Sequence, residues 1–407
     1  MEYINDYYKA LSTHVKEDKI KALTDLCDKH PDRCAECYYT LATLVDDNNK
    51  KFEYALKASK MSIPSDDQVA DRSIYEWKAM DFVCIYGYYT GNYYESLHAH
   101  GCLKENSHYI PESYREQCIN NGKFSMEAVD NIHSLSRFQQ SLKTLPTPLI
   151  GDTDIPNYYH IMWFKGNRKW IMVHYLSVLL VKKMQNPLAI YIYNDIEPEN
   201  NKWWDLTKTI QGVHIVKAPV PTFINNKQIP WVQHKADVAR IYTIYERGGV
   251  YIDSDLLLYR DVSNILVKGK VNMSYQNANG VWNGFIAAPP KHPYMMEWIN
   301  AYKSLYGSSD VDHWAGLSIN MPFTLSNRYP NHVNIMPSIT FLPFGWHDDN
   351  LYTDGCTDSF MDSYGMHLWE TEAEKRGVLP MDTQWLESHK NTPFYRLFAG
   401  YLDTRQG

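Results

Sequence analysis

The sequence has little of what marks secreted, membrane-spanning or nucleic-acid-binding proteins. It carries 7 Cys in 407 residues, and this odd number, with six in the first third, favours reduced thiols over disulfides. It has no run of about 18 apolar residues and no basic-apolar leader at its start. A formal net charge of -7 without a basic stripe argues against a general nucleic-acid binder. We therefore expect a cytoplasmic protein without a transmembrane segment or a nucleic-acid partner.

Several sequence motifs of common enzyme classes are also absent. No Gly-x-Gly-x-x-Gly follows the first predicted strand, and no Gly-x-x-x-x-Gly-Lys or Gly-x-Ser-x-Gly segment is present. These absences argue against dinucleotide-dependent redox chemistry, ATP hydrolysis and serine esterase activity. Cys34 and Cys37 have a metal-ligand spacing, but no second Cys or His pair follows at zinc-site spacing, which favours cysteines in a helical core.

The length and the hydrophobic periodicity indicate two domains. A chain of 407 residues exceeds the size at which one core stops growing. From Glu2 to about Thr144 the apolar residues recur at helical spacing, as in Leu41, Leu44 and Val45. The stretch Ser141 to Asp154 is rich in Pro and Gly and lacks periodicity. We predict an all-α domain over residues 1–147 and a second domain over residues 148–407.

The stretch Ile74 to Asn121 is similar to tetratricopeptide-type helix pairs, because a Gly91-Asn92 turn separates two helical segments. A generic helical bundle is the alternative. Both interpretations place no chemistry in this domain and leave it available to bind a protein partner.

After Asp154 the pattern changes to short apolar strands separated by helical segments. This alternation predicts an α/β domain of Rossmann-like type, with a mainly parallel sheet covered by helices. The predicted strands are Tyr158–Trp163, Leu188–Tyr193, Val213–Val216, Val250–Ile252, Val271–Tyr275 and Phe285–Ala288.

The stretch Gly248 to Asp255 is the centre of the predicted site. Its apolar residues favour a buried strand, so Asp253 and Asp255 fall at the carboxyl end, where open α/β sheets bind ligands. Alternate residues of an extended segment face the same way, and Mg²⁺ or Mn²⁺ prefers such carboxylates. A bare Asp-x-Asp is common in solvated turns. Upstream, Asp237 and Arg240 form either a local ion pair or contacts to a sugar and a diphosphate.

Four ordered segments resemble the retaining sugar transferases that contain a DXD motif, of the initiating mannosyltransferase and α-1,4-galactosyltransferase type. The clostridial glucosylating toxins are more distantly similar. The segments run from Asp237 to Asp255, from Ile155 to Gly166, from Trp282 to Pro289 and from Tyr364 to Trp369. The last departs from the family pattern, because Glu370 and Thr371 follow it where small residues are usual.

This resemblance implies a GT-A fold, a nucleotide-sugar donor with a UDP-sugar favoured over a GDP-sugar, a Mn²⁺ or Mg²⁺ cofactor, and transfer of a hexose-type sugar with retention. It implies Asp253, Asp255 and His367 as metal ligands. It places Asp237, Arg240, Asp253 and Asp255 in the catalytic set. The donor-binding set it implies is Trp163 on the base, Asp237 and Arg240 on the sugar, Tyr251, Asp253, Ser254, Asn283 facing the transferred sugar, and Trp369.

Two other functions stay open at this stage. A catalytically inactive scaffold would bind a partner through the helical domain, and a metal-dependent phosphohydrolase would cleave nucleotide sugars without an acceptor. The acceptor, whether glycan, protein or lipid, is not indicated by any motif. The stretch Phe341 to Asp362, which includes Trp346, is either an acceptor-binding or lid loop that orders over the donor, or a solvated loop with one buried tryptophan.

Overall fold

The computed structural model describes residues 2–66, 68–146, 154–164, 168–225, 227–309, 315–353, 360 and 362–402. The chain divides into two compact units, Met1–Asn131 and Ile132–Gly407. The predicted boundary between residues 147 and 148 lies outside the described residues. The helix Ser134–Lys143, assigned above to the first domain, belongs to the second unit because Phe138 and Leu142 are buried in its core.

The first unit is built from helices in its described residues, as predicted. Consecutive helices pack against one another, and their described cysteines are free thiols, most of them buried. The tetratricopeptide-like character stays a prediction. The helices are α1 Glu2–Leu11, α2 Lys16–Lys29, α3 Ala35–Leu44, α4 Asn48–Ser59, a π-helical turn Ile74–Lys78, α5 Ala79–Tyr89, α6 Tyr93–Glu105, a 3₁₀ turn Ser107–Tyr109 and α7 Glu112–Ile132.

The described strands of the second unit form three sheets. The strands are β1 Tyr158–Trp163, β2 Ala189–Asn194, β3 Val213–Lys217, β4 Phe223–Ile224, β5 Lys227–Gln228, β6 Gly249–Ile252, β7 Leu256–Leu258, β8 Val271–Asn277, β9 Gly280–Ala288, β10 Val333–Met336 and β11 Gly365–His367. A seven-stranded sheet has the order β10-β8-β9-β6-β1-β2-β3, and two small two-stranded sheets are β11-β7 and β4-β5. The pairs β1-β2, β1-β6, β2-β3 and β8-β10 are parallel, whereas β9 runs antiparallel to both neighbours.

Helices cover both faces of this sheet. Alternate residues of β1 show this, because Tyr159, Ile161 and Trp163 join one buried cluster and Tyr158 and Met162 join the other. The predicted mainly parallel α/β class is therefore confirmed. The helices are α8 Ser134–Lys143, α9 Met172–Leu180, α10 Lys202–Thr209, α11 Val232–Arg247, α12 Pro293–Leu305, α13 Met321–Arg328, α14 Glu370–Lys375, α15 Thr383–Ser388 and α16 Pro393–Leu402, with π turns at Val181–Gln185 and Gly316–Asn320 and 3₁₀ turns at Ser263–Ile265, Pro330–His332 and Ser338–Thr340.

Two glycines connect α11 to β6. Gly248 and Gly249 have φ angles of 63° and 91°, a region that favours glycine. A Cβ at Gly249 would lie 2.6 Å from the carbonyl oxygen of Tyr158, and one at Gly248 would lie 2.6 Å from Pro290. The chain can therefore end a helix and enter the centre of the sheet within two residues, which aims the residues after β6 at the sheet's carboxyl edge.

Among the described residues, no helix is both long and apolar enough to cross a membrane.

Candidate active site

Asp253 and Asp255 follow β6 in a tight turn. The amide of Asp253 donates to the Gly284 carbonyl at 2.9 Å on the adjacent strand, and the Leu256 amide donates back to the Asp253 carbonyl at 3.0 Å. Both carboxylates line a cavity of about 770 Å³ at the carboxyl end of the parallel strands. The cavity volume falls within the range of small-molecule sites.

His367 reaches this turn through strand pairing. Leu256 in β7 pairs with His367 in β11, and the Leu368 amide donates to the Asp255 carbonyl at 3.0 Å. His367 Nε2 lies 3.2 Å from Asp255 Oδ1 and 3.8 Å from Asp253 Oδ2. The structure thus brings together the three residues predicted as metal ligands.

Aromatic rings fix the orientation of His367. The centroids of Trp282 and Trp369 lie 4.9 and 4.6 Å from that of the imidazole. Trp369 has a left-handed φ of 51°, and its Nε1 donates to the Phe344 carbonyl at 3.0 Å. A tryptophan rarely adopts this backbone conformation, and such strain clusters at functional sites.

Each carboxylate has one oxygen held by the protein and the other turned toward His367. Asp255 Oδ2 accepts from the Glu370 amide at 2.8 Å. Asp253 Oδ1 accepts from the Tyr251 hydroxyl at 2.7 Å and pairs with Arg240 Nη1 at 3.0 Å. The other carboxylate oxygens, Asp253 Oδ2 and Asp255 Oδ1, both lie close to His367 Nε2.

The ionisation of this cluster follows from burial opposed by charge. Burial alone would raise the pKa of Asp255, but the ion pair and hydrogen bond with His367 outweigh it and bring that pKa to about 2. Burial would lower the pKa of His367, yet Asp255 and then Asp253 raise it overall. Each of the two groups therefore favours the charged form of the other.

The donor set fits a divalent cation. One ligand atom from each of Asp253, Asp255 and His367 lies within 4.8 Å of the others, and these residues are the group of this kind found in the described part of the chain. Carboxylate oxygens suit Mg²⁺ and Mn²⁺, and an imidazole nitrogen is an acceptable ligand for transition metals. A cation would replace the proton that His367 shares with Asp255.

A second buried network, centred on Arg240, contacts the metal cluster through Asp253. Arg240 Nη1 donates to the Asn283 carbonyl and to its Oδ1 at 3.0 and 3.2 Å, and Arg240 Nη2 lies 3.3 Å from Asp237 Oδ1. Asn283 Nδ2 donates to the same Asp237 oxygen at 2.8 Å. The guanidinium carbon also lies 4.5 Å from the centre of the Tyr251 ring. Arg240 is therefore held by two aspartates, an amide and an aromatic face.

Burial and neighbouring charges shift the pKa values of Asp237 and Arg240 for different reasons. Burial raises the pKa of Asp237 despite Arg240, whereas Asp253 helps to raise the pKa of Arg240 against its burial. Arg240 lines the cavity, but Asp237 and Asn283 do not. The predicted donor contacts of Asp237 and Asn283 therefore stay predictions, and in this structure both residues orient Arg240.

The remaining predicted donor-binding residues line the same cavity. They include Tyr251, Ser254, Trp369 and Trp163. Trp163 is only 1% exposed, and the guanidinium carbon of Arg168 lies 5.2 Å from its ring centre. Because this ring is buried and Arg168 lies over it, the predicted stacking of a base on Trp163 stays a prediction.

The structure adds residues that the sequence reasoning did not assign to the site. Glu370 contacts Arg168, and its Oε2 lies 3.2 Å from Nε2 of the buried His174. Gly284 leaves room for the metal cluster, because a Cβ there would lie 2.3 Å from Asp253 Oδ2. The signal for Glu370 was its departure from the family's closing motif, and Gly284 stood within a matched segment.

Comparisons with known proteins bear on this site. Residues 153–272 match the family described as "Glycosyltransferase sugar-binding region containing DXD motif". The chain is 26% identical over 278 residues to Glucan organizing enzyme 1 of Cryptococcus neoformans var. grubii, covering 65% of this chain and 67% of that protein. It is 30% identical over 84 residues to Inositol phosphoceramide mannosyltransferase 1 of Schizosaccharomyces pombe, covering 21% and 24%.

Two further similarities are more distant. Uncharacterized glycosyltransferase L373 of Acanthamoeba polyphaga mimivirus is 23% identical over 224 residues, which are 53% of this chain and 84% of that protein. Among solved structures, the PaToxG Glycosyltransferase aligns with a TM-score of 0.34 and 14% identity over 68% of this chain and 98% of that one. The family match and the curated relatives confirm the predicted resemblance to DXD-containing transferases and support a glycosyltransferase.

Proposed function

We propose that this protein, whose residues 153–272 match a DXD sugar-binding region, is a metal-dependent retaining glycosyltransferase. It would move a hexose-type sugar from a nucleoside diphosphate sugar, a UDP-sugar in preference to a GDP-sugar, to an acceptor hydroxyl. The observation that carries the proposal is the convergence of Asp253, Asp255 and His367 beside Arg240 in one cavity.

In this proposal, Asp253 Oδ2, Asp255 Oδ1 and His367 Nε2 hold Mn²⁺ or Mg²⁺. The bound cation would neutralise negative charge on the departing diphosphate. Arg240 adds a positive charge that does not need to reorganise, because Asp237 and Asn283 fix its guanidinium. The Tyr251 hydroxyl holds the carboxylate of Asp253 in place, and the Glu370 amide holds that of Asp255.

Retention is proposed to occur by front-face attack. The acceptor oxygen would bond to the anomeric carbon on the face that the diphosphate leaves, and its proton would pass to the leaving phosphate oxygen. A covalent route would need a carboxylate nucleophile. Asp237 suits that role poorly, because Asn283 and Arg240 engage its Oδ1 and it does not line the cavity.

For the rest of the chain we propose a cytoplasmic location and a role of the helical unit in binding a protein partner. The alignments cover 67% of the first relative and 24% of the second. The names of these two relatives concern a glucan and inositol phosphoceramide mannosylation, so glucose and mannose donors belong in the test.

The test is thermal stabilisation by UDP- and GDP-linked glucose, galactose and mannose, with Mn²⁺, with Mg²⁺ and with EDTA. Stabilisation that needs both a donor and a cation supports the proposal, and mass measurement of products then identifies transfer. No stabilisation by any donor would favour an inactive scaffold. Release of the nucleotide at the same rate with and without acceptors would favour a phosphohydrolase.

A further inference from the structure

Trp346 is the most exposed tryptophan in the part of the chain that the structure describes. Its side chain is 54% exposed, whereas every other described tryptophan is buried or only partly exposed. It lines the same cavity as the metal cluster. A large aromatic ring left open to a cavity provides apolar contact area for a ligand.

The backbone around Trp346 is held on both sides. The Trp346 carbonyl accepts from Arg376 Nη1 at 2.6 Å, and Arg376 Nε donates to Asp349 Oδ1 at 2.9 Å. Two residues earlier, the Phe344 carbonyl accepts from Trp369 Nε1 at 3.0 Å. The backbone of this segment is therefore tied to the C-terminal end of α14 and to the tryptophan that packs on His367.

Residues of α14 add polar groups to the cavity that Trp346 lines. Thr371, Glu372 and Lys375 are among its lining residues. Glu372 Oε1 accepts from Lys375 Nζ at 2.7 Å, so these two charges balance. A diphosphate would bind at Arg240 and the cation ligands, which line the same cavity. Trp346 and these α14 residues offer an aromatic face and paired polar groups without a net charge.

An aromatic face beside hydroxyl and carboxylate groups is suited to a sugar ring. The ring's C–H face packs on the indole, and its hydroxyls bond to the polar groups. A lipid chain would need apolar walls on all sides. We propose that Trp346, Thr371, Glu372 and Lys375 form the acceptor subsite and that the acceptor is a saccharide. This inference rests on the proposed glycosyltransferase function.

The experiment compares Trp346→Ala and Trp346→Phe with Tyr89→Ala, which removes an aromatic ring that is 64% exposed in the first unit. Donor hydrolysis without an acceptor and donor KM report on the donor half of the site. Acceptor KM is measured with methyl glycosides and oligosaccharides of glucose, galactose and mannose, and serine peptides and ceramide vesicles serve as the other acceptor classes.

We expect Trp346→Ala to raise the saccharide KM by about tenfold or more, the scale of a lost aromatic stacking contact. Donor KM and donor hydrolysis should stay within about twofold, Trp346→Phe should recover most of the loss, and Tyr89→Ala should match the wild type. An unchanged saccharide KM, a tenfold rise in donor KM, or transfer by the wild type to peptides or ceramide but not to sugars would overturn the inference. If the wild type neither binds nor cleaves any donor, the proposed function itself fails.

Discussion

His367 Nε2 lies 3.2 Å from Asp255 Oδ1 because the residue after Asp255, Leu256, pairs with His367 in the β7-β11 ladder. The short ladder fixes the histidine by backbone hydrogen bonds, so the metal cluster does not depend on a flexible loop to bring its third ligand. The same closing segment returns the Glu370 amide to Asp255 Oδ2. The site is therefore assembled largely before any ligand binds.

The first prediction concerns Asp255→Asn. The amide oxygen can still accept from the Glu370 amide, but the side chain loses the charge that pairs with His367 and would bind a cation. We expect Mn²⁺ at 100 times its Kd to stabilise the wild type by about 3 kcal/mol and the variant hardly at all. Transfer should fall by at least about a hundredfold.

Calorimetry with and without Mn²⁺ measures this loss, and circular dichroism checks the fold. The control is Asp205→Asn on α10, which removes a carboxylate that is 63% exposed and paired with Lys208. Equal stabilisation of Asp255→Asn and the control would remove the metal assignment.

Much of this arrangement could be predicted from the sequence, for a physical reason. Short runs of β-branched and aromatic residues predict strands that correspond closely to β1, β2, β3, β6 and β8. Gly248 and Gly249 mark the junction before the two aspartates. Hydrophobic periodicity identifies an element and its buried face. It does not say which core that face joins, and for this reason α8 was assigned to the first domain.

The residues around the metal cluster were less predictable, because tertiary packing places them. Strand register between β7 and β11 determines where His367 lies, and a sequence pattern carries no such register. The arrangement of Arg168 over Trp163 and the exposure of Trp346 likewise depend on how separate segments meet. Only the family resemblance indicated that His367 belongs with Asp253 and Asp255.

The second prediction concerns Gly284→Ala. The new Cβ would lie 2.3 Å from Asp253 Oδ2 and 2.2 Å from the Trp282 ring, so the carboxylate or the indole must move. We expect a loss of about 1–3 kcal/mol in the free energy of unfolding and a weaker Mn²⁺ effect. Gly101→Ala is the matched control, because a Cβ there meets nothing within 4 Å in helix α6, and it should be neutral or stabilising. Equal Mn²⁺ affinity in Gly284→Ala would show that the cluster tolerates the added methyl.

The third prediction concerns Arg240→Met. The substitution keeps much of the side-chain volume but leaves Asp237 and Asp253 without their buried counter-charge. We expect a destabilisation of about 3–5 kcal/mol, the cost of breaking a buried ion pair. Adding Asp237→Asn should recover part of the stability but none of the transfer activity, because the positive charge is still absent.

Chemical denaturation of both variants measures these differences. The control is Arg328→Met at the exposed end of α13. Additive effects of Arg240→Met and Asp237→Asn would contradict the network, since residues in contact should be coupled.

The last prediction is a loss of stability in mild acid that depends on His160. This imidazole is buried between the Tyr193 hydroxyl, 3.0 Å from Nδ1, and the Gly248 carbonyl, 3.1 Å from Nε2, so its neutral form satisfies both contacts. Burial lowers its pKa from 6.5 to about 3. The unfolded chain therefore takes up a proton below pH 6.5 while the folded chain does not, and stability falls as the pH drops through that value.

From pH 7 to pH 5 we expect His160 to account for a loss of about 2 kcal/mol in the free energy of unfolding. Urea denaturation of the wild type and of His160→Gln at both pH values should show a flatter pH dependence for the variant, despite its lower stability at pH 7. An unchanged slope in His160→Gln would show that other groups bind the acid-linked protons.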